Sequence, residues 1–206
     1  MNFDITSMKQ RAQTLIRSTK PNPKAIGAIF SLVLIVYFTM IIFGMEKNNW
    51  ILIIAAEVIC MNFRNSNLIY GLKISREEKS GFSDTFIAFK ENGVKMFALC
   101  IIKDILYIIG LFFLLVGSLI PFYCFRFSTQ LIYDEKTSVL KAMQRSAALL
   151  KGHYFELIKL DFLVLFWYVI TYFTYGIAGI YAKPYSAILY GEFYDYLKAC
   201  EKIKEM

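Results

Sequence analysis

Residues 25–45 of the chain read AIGAIFSLVLIVYFTMIIFGM, a run in which no side chain carries a charge. A helix of about 20 mostly apolar residues is long enough to cross the hydrocarbon core of a bilayer. The run therefore predicts a membrane-spanning helix from about Ile26 to Met45, and this helix decides the fold class.

The composition of the whole chain is also typical of a membrane protein. Of its 206 residues, 57% are hydrophobic and 17% are aromatic, which is more apolar surface than a soluble domain of this size can bury. We expect one all-α integral membrane domain over residues 1–206, with about six transmembrane helices. After the first, the predicted spans are residues 50–72, 93–120, 121–134, 154–181 and 184–197. The segments 121–134 and 184–197 are short, which leaves open whether they cross the bilayer fully.

The positive charges lie between the apolar runs. Eighteen of the 23 Lys and Arg residues fall in four segments, namely residues 1–25, 73–95, 134–159 and 198–206. The intervening turns hold only Lys47 and Lys183. Because positive residues stay on the cytoplasmic side, we expect a multi-pass protein of the cell membrane with both termini cytoplasmic. The net charge of +7 then indicates anionic lipid headgroups as partners, and no nucleic acid.

Three of the charged segments predict amphipathic helices, at residues 4–18, 73–92 and 136–152. Each precedes a pair of spans, so we expect three parallel hairpin repeats, residues 1–72, 73–134 and 135–206, each introduced by a cytoplasmic amphipathic helix. The alternative, that basic-flanked hairpins resemble one another through composition alone, stays open. The basic residues expected at the membrane surface are Lys9, Arg11, Arg17, Lys141, Arg145 and Lys151.

Several polar residues fall inside predicted spans, where charge is costly and usually faces the bundle interior or water. They form a candidate intramembrane network: Glu57, Asn62, Arg64, Lys103, Asp104, Arg126 and Asp161. Such a network suits a polar pathway or a headgroup site. The competing interpretation is structural, with charges that pair across helices while Arg64 and Lys103 extend toward the cytoplasmic surface.

The sequence contains no catalytic constellation. His153 is the one histidine, the four cysteines are widely spaced without a CxxC pair, and nucleophile-elbow, HExxH and P-loop motifs are absent. We therefore expect no enzyme, no cofactor and no metal site.

The second half carries several short motifs: IPFYCFRFS at residues 120–128, IYDE at 132–135, AMQRSAALLKG at 142–152 and Asp161-Phe162. In these the chain resembles a bacterial polytopic membrane family known as domain-of-unknown-function family 975. It departs from the family at Phe122, where a glycine is usual, and at residues 163–167, where the family has a Ser-Phe-Ile-Gly-Trp motif. The resemblance implies the architecture described above and no particular activity.

Together these features predict a non-catalytic accessory or scaffold protein that engages lipid or a membrane partner. The alternative is a small transporter or channel that uses the intramembrane charges. The two differ in whether Glu57, Arg64 and Arg126 face a water-filled cavity or pair tightly in a dry core.

Overall fold

The computed structural model describes residues 4–19, 22–90, 93–112, 121–174 and 176–205. These ranges hold nine α-helices, one 3-10 helix at Phe82–Phe86 and no strand, which confirms the predicted all-α class. The α-helices are α1 Ile5–Ser18, α2 Pro23–Glu46, α3 Trp50–Ser75, α4 Ile87–Lys90, α5 Gly93–Phe112, α6 Ser128–Glu135, α7 Val139–Leu150, α8 Tyr154–Phe173 and α9 Gly179–Glu205. Residues 113–120 of the predicted third span lie outside the described residues.

Helix boundaries follow local capping chemistry. The carboxylate of Asp4 accepts a hydrogen bond from the Thr6 amide at the start of α1. Pro23 occupies the first turn of α2, where its missing N–H is not needed. The side chain of Asn49 caps α3 after the α2–α3 turn, and Gly152 follows α7 with a φ of +93°. The structure therefore confirms the separation of the predicted helix 4–18 from the span Ile26–Met45, the separation of that span from 50–72, and the end of the helix predicted at 136–152.

The turn between α8 and α9 lies earlier than the sequence indicated. The predicted turn at Lys183-Pro184 is wrong, because the chain reverses between Phe173 and Gly179 and Pro184 lies inside α9. A proline within a helix removes the hydrogen bond to the carbonyl four residues earlier. That carbonyl, on Ile180, lies directly against Gly27 of α2, where the missing Cβ permits the close approach.

The core lies at one end of the molecule. The second half of α3 packs against the second half of α9 so closely that Gly71 contacts the backbone of Ala187, and Gly191 faces Leu72. Helices α1, α4, α6 and α7 contribute buried residues around this pair. Residues 184–197 are therefore mostly packed inside the protein, and the buried α6 places the end of 121–134 there as well.

The other part of the molecule exposes large apolar side chains. We call this surface the apolar belt; it consists of exposed residues of α2 from Leu32 to Met45, α3 from Trp50 to Ile59, α5 from Ile101 to Ile109 and α8 from Phe162 to Phe173. Within the described part of the chain, α2 is the one helix long and apolar enough to cross a membrane. Of the 18 most apolar consecutive residues of α2, 22% are buried, whereas the core helix of a soluble protein is mostly buried.

Candidate functional site

A cavity of about 430 Å³ opens between α2, α3, α5, α8, α9 and the segment 122–129. Four of the charged residues singled out from the sequence line it: Glu57, Arg64, Lys103 and Arg126. The cavity therefore brings together charged residues from three separate segments of the chain, namely α3, α5 and the segment 122–129.

Arg126 and Asp161 form the tightest ion pair of this cavity. The Arg126 Nη2 lies 3.2 Å from Asp161 Oδ1, and the hydroxyl of Tyr190 donates to the same oxygen at 2.6 Å. The guanidinium also lies 4.8 Å from the ring centre of Phe122 and 4.4 Å from that of Tyr190. The aromatic rings and the carboxylate hold Arg126 in one orientation at the cavity wall.

The other predicted network residues are held less firmly. Arg64 Nη2 lies 3.9 Å from Asp104 Oδ1, and the Arg64 side chain is 55% exposed. Glu57 accepts a hydrogen bond of 2.6 Å from the Tyr37 hydroxyl. Among the residues that the structure describes, the Lys103 ammonium has no hydrogen bond or ion pair. The cavity thus contains one firm ion pair beside charges that remain accessible.

Asn62 does not belong to the cavity. Its amide donates to the carbonyl of Val58 in its own helix at 2.9 Å. Asn65 lines the cavity instead, accepting from the Thr129 hydroxyl at 3.0 Å and donating to the Cys100 sulfur at 3.2 Å. Asn62 and Asn65 are three residues apart on α3, yet Asn62 bonds within its own helix, whereas Asn65 joins α3 to α5 and α6.

Lys183 is a cavity residue that sequence reasoning missed, because Pro184 suggested a turn at this point. Lys183, Ser186 and Tyr190 all line the cavity from α9. Their spacing of three and four residues places them on one helix face. This spacing was the signal in the sequence that would have found them.

A second cluster of charges lies at the end of the molecule that holds the core. We call it the basal network; its members are Arg76, Asp134, Glu135, Arg145, Asp195, Lys198 and Glu201. The network joins the end of α3 to α6, α7 and α9. None of its members except Arg145 was singled out from the sequence as a candidate site residue.

Arg76 is the centre of the basal network. Its guanidinium lies 2.7 Å from Asp134 and 2.7 Å from Asp195, so one side chain bridges two carboxylates. Lys198 lies 3.0 Å from Asp134 as well. Hydrogen bonds to Asp195 raise the pKa of Arg76 above its usual range, although burial acts in the opposite direction. Burial alone would raise the pKa of Asp134, but hydrogen bonds from Arg76 and Lys198 outweigh it and hold this pKa below its usual range.

The six basic residues expected at the membrane surface divide into two groups. Arg11 bonds the Ser75 carbonyl and lies 3.1 Å from Glu192, and Arg145 pairs with Glu135 and Glu201, so both join elements of the protein. The exposed group is Lys9, Arg17, Lys141 and Lys151.

The apolar faces of α1 and α7 pack on the protein. Ala12, Leu15 and Ile16 of α1 are buried, as are Met143 and Leu150 of α7. Because α9 and the end of α3 cover the apolar face of α1, that face is not free to lie on a membrane surface. The polar faces of these helices remain exposed, together with Leu140 of α7.

His153 lies 2.6 Å from Glu156, beside the ring of Tyr196. The four cysteines are free. Among the described residues, no group of three or more His, Cys, Asp or Glu side chains is arranged to hold a metal ion.

The chain was also compared with known proteins. Neither the protein-family comparison, nor the search of curated proteins, nor the search of solved structures gave a match.

Proposed function

We propose that the chain is a non-catalytic, polytopic membrane protein, an accessory or scaffold protein that engages anionic lipid or a membrane partner. The observation that carries this proposal is the separation of two surfaces. The apolar belt covers α2, the start of α3, α5 and α8, whereas the basal network and the exposed basic residues of α1 and α7 lie toward the end that holds the core.

The apolar belt supports a lipid environment on energetic grounds. Phe162 is 71% exposed, Tyr172 82% and Phe173 75%. Leaving a large apolar side chain in water forgoes about 1.5–3 kcal/mol relative to burying it. Acyl chains around the belt would remove that cost for every residue in it.

The finer features of the topology belong to the same proposal. They are six spans, three parallel hairpin repeats, cytoplasmic termini and membership of the family that the second half resembles. The order of helices is compatible with the first and third repeats, since α1 precedes α2 and α3, and α7 precedes α8 and α9. In the second repeat, the segment predicted as an amphipathic helix at residues 73–92 is instead the end of α3, the 3-10 helix Phe82–Phe86 and the short α4 within the described residues. In this arrangement the tip of the α2–α3 hairpin, with Lys47, faces away from the cytoplasm.

Lipid engagement would be electrostatic. Lys9, Arg17, Lys141 and Lys151 are exposed, and each basic residue near an anionic surface contributes about 1 kcal/mol. Because the apolar faces of α1 and α7 are covered by protein, we expect headgroup contact without insertion of these two helices.

The test has two steps. Membranes containing the protein are first washed with alkaline carbonate, and release of the chain into the soluble fraction would refute the membrane assignment. The protein is then reconstituted with spin-labelled lipids, and the preference of the lipid annulus for phosphatidylglycerol over phosphatidylcholine is measured.

The decisive variant replaces Lys9, Arg17, Lys141 and Lys151 together by Gln. We expect it to lose the preference for anionic lipid, and we expect the wild type to lose it in high salt. Lys47→Gln removes an exposed charge from the opposite end and should keep the preference. An unchanged preference in the fourfold variant would contradict lipid engagement by the basal end.

A small transporter or channel is the second candidate. One observation favours it: Glu57, Arg64 and Arg126 line a cavity and are not all paired in a dry core. Liposomes loaded with a charged fluorescent reporter would detect ion flux. Flux that disappears in Lys103→Met would support this candidate, and its absence under every ion gradient would exclude a channel.

A further inference from the structure

The cavity combines a charged wall with an apolar wall. The apolar wall is formed by Phe30, Val33 and Leu34 of α2 with Phe63 and Leu68 of α3. The basic wall is formed by Arg64, Lys103, Arg126 and Lys183, which come from four separate segments. An amphiphilic ligand would meet matching chemistry on both sides.

The charges of the cavity do not balance within the described residues. Arg126 has Asp161, and Arg64 has Asp104 at 3.9 Å. In the same part of the chain neither Lys103 nor Lys183 has a carboxylate partner, and the Lys183 ammonium lies 5.3 Å from the ring centre of Tyr168.

Glu57, the one carboxylate among the residues described as lining the cavity, accepts a hydrogen bond from the hydroxyl of Tyr37. A positive charge in an apolar setting is unfavourable without an anion or a hydrogen-bond acceptor beside it. The cavity therefore has two ammonium groups that a bound anion would neutralise.

We propose that this cavity binds one anionic amphiphile, with a phosphate or carboxylate headgroup at Lys103 and Lys183 and a hydrocarbon chain along the apolar wall. The inference rests on the membrane setting of the proposed function, but not on lipid contact at the basal end. Arg126 is held by Asp161 and the rings of Phe122 and Tyr190, so it offers a fixed donor at the same wall.

The dimensions suit such a ligand. The volume of about 430 Å³ lies within the range of about 300–1,000 Å³ that is typical of small-molecule sites. The Arg64 side chain, 55% exposed, marks an open side.

The same headgroup chemistry is present in a free anion, and the apolar wall distinguishes the two sources. Inorganic phosphate would use the basic residues and leave Phe30, Val33 and Phe63 uncovered. An amphiphile uses both walls, so its binding should depend on chain length as well as on charge.

The experiment counts lipids bound to the full chain. Protein in a mild detergent is incubated with equimolar phosphatidic acid and phosphatidylcholine, and bound lipid is measured by native mass spectrometry. We expect one phosphatidic acid per chain in the wild type. Loss of a charge-assisted contact should weaken binding about tenfold or more in Lys103→Met.

Lys103→Met has a built-in control for folding. The substitution removes an ammonium without a partner and keeps the length of the side chain, so the thermal unfolding temperature of the lipid-free protein should stay equal or rise. Lys47→Met is the matched control, since Lys47 is exposed at the tip of the α2–α3 hairpin, and it should bind lipid as the wild type does.

The outcomes separate clearly. Loss of phosphatidic acid in Lys103→Met and Lys183→Met, with retention in Lys47→Met, supports the site. Equal binding of both lipids, or equal retention in all variants, overturns it. Saturation by inorganic phosphate with no dependence on a lipid chain overturns the amphiphile. None of these results alters the carbonate wash or the annulus measurement, so the proposed function is judged separately.

Discussion

Replacement of Arg76 by Ala should destabilise the fold more than any other single loss of charge at the basal end. Arg76 follows α3 directly and makes paired hydrogen bonds to two carboxylates, with distances from 2.7 to 3.3 Å. Those carboxylates lie on α6 and α9, which are 58 and 119 residues away along the chain. The substitution therefore disconnects three helices at one point.

The magnitude follows from the partners that remain. Asp134 keeps Lys198 at 3.0 Å, whereas Asp195 has no second ion pair among the described residues. Breaking a buried pair by removing one partner costs about 3–5 kcal/mol. Because the Arg76 side chain is 26% exposed and Asp195 is 35% exposed, we expect about 2–3 kcal/mol, below that range. Arg76→Lys keeps the charge but lacks the planar guanidinium that bonds both carboxylates, so its loss of unfolding free energy should be about half of that in Arg76→Ala.

The assay is equilibrium unfolding of the purified protein in mixed micelles, followed by circular dichroism as the mole fraction of dodecyl sulfate rises. Lys79→Ala, an exposed charge in the same loop, should change the free energy of unfolding by less than about 0.5 kcal/mol. A double-mutant cycle of Arg76→Ala with Asp195→Ala should give a coupling energy of about 1–3 kcal/mol. A loss below about 1 kcal/mol in Arg76→Ala, or no coupling to Asp195, would refute the role given to the bridge.

Three further predictions concern helix packing, the pH dependence of stability and the exposure of the two tryptophans to lipid. Gly71→Val should prevent close packing of α3 on α9 and abolish cooperative unfolding. Gly81→Ala, whose new Cβ would have no atom closer than 4.0 Å, should keep cooperative unfolding. Similar unfolding of the two variants would contradict the close packing of α3 on α9. Because the pKa of Asp134 is lowered in the fold, its contribution to stability is present at neutral pH and is lost as the pH falls below about 4. The unfolding midpoint of Asp134→Asn should therefore depend less on pH below about 4 than that of the wild type. Brominated lipids should quench Trp50, which is 67% exposed, more strongly than Trp167, which packs against Tyr181 and Tyr185; equal quenching in the two single-Trp variants would argue against a lipid-facing belt.

The helices themselves were largely predictable, because their signals are local. The charge-free run at residues 25–45, the proline at residue 23 and the glycine at residue 152 each act within one or two turns. The environment of a helix is not local. Residues 184–197 have the apolar character of a lipid-facing segment, yet Tyr185, Ile188 and Phe193 are buried against other helices. Hydropathy cannot distinguish burial in protein from burial in lipid, since both remove the same surface from water.

The candidate site was predictable to a similar extent. Charges inside apolar runs are rare because they are costly, so Glu57, Arg64 and Arg126 stood out. Asp104 and Asp161 stood out for the same reason, but which charges pair could not be predicted, because an ion pair such as Arg126–Asp161 joins residues 35 positions apart and depends on how the helices pack. Arg76 lies in an obviously charged loop, where a basic residue carries no local sign of its role.

The positive charges that indicate topology therefore serve two different purposes. Arg76, Arg145 and Lys198 are paired with carboxylates of other helices, and their attraction holds the basal end together. A cluster of unpaired cations at that end would repel itself and weaken the fold. The acidic partners remove this repulsion within the network, and the excess of positive charge remains on exposed residues such as Lys141 and Lys151, where anionic headgroups can balance it. A count of Lys and Arg treats both groups alike, because only their partners in the folded structure distinguish a cation that stabilises the protein from one available to the membrane.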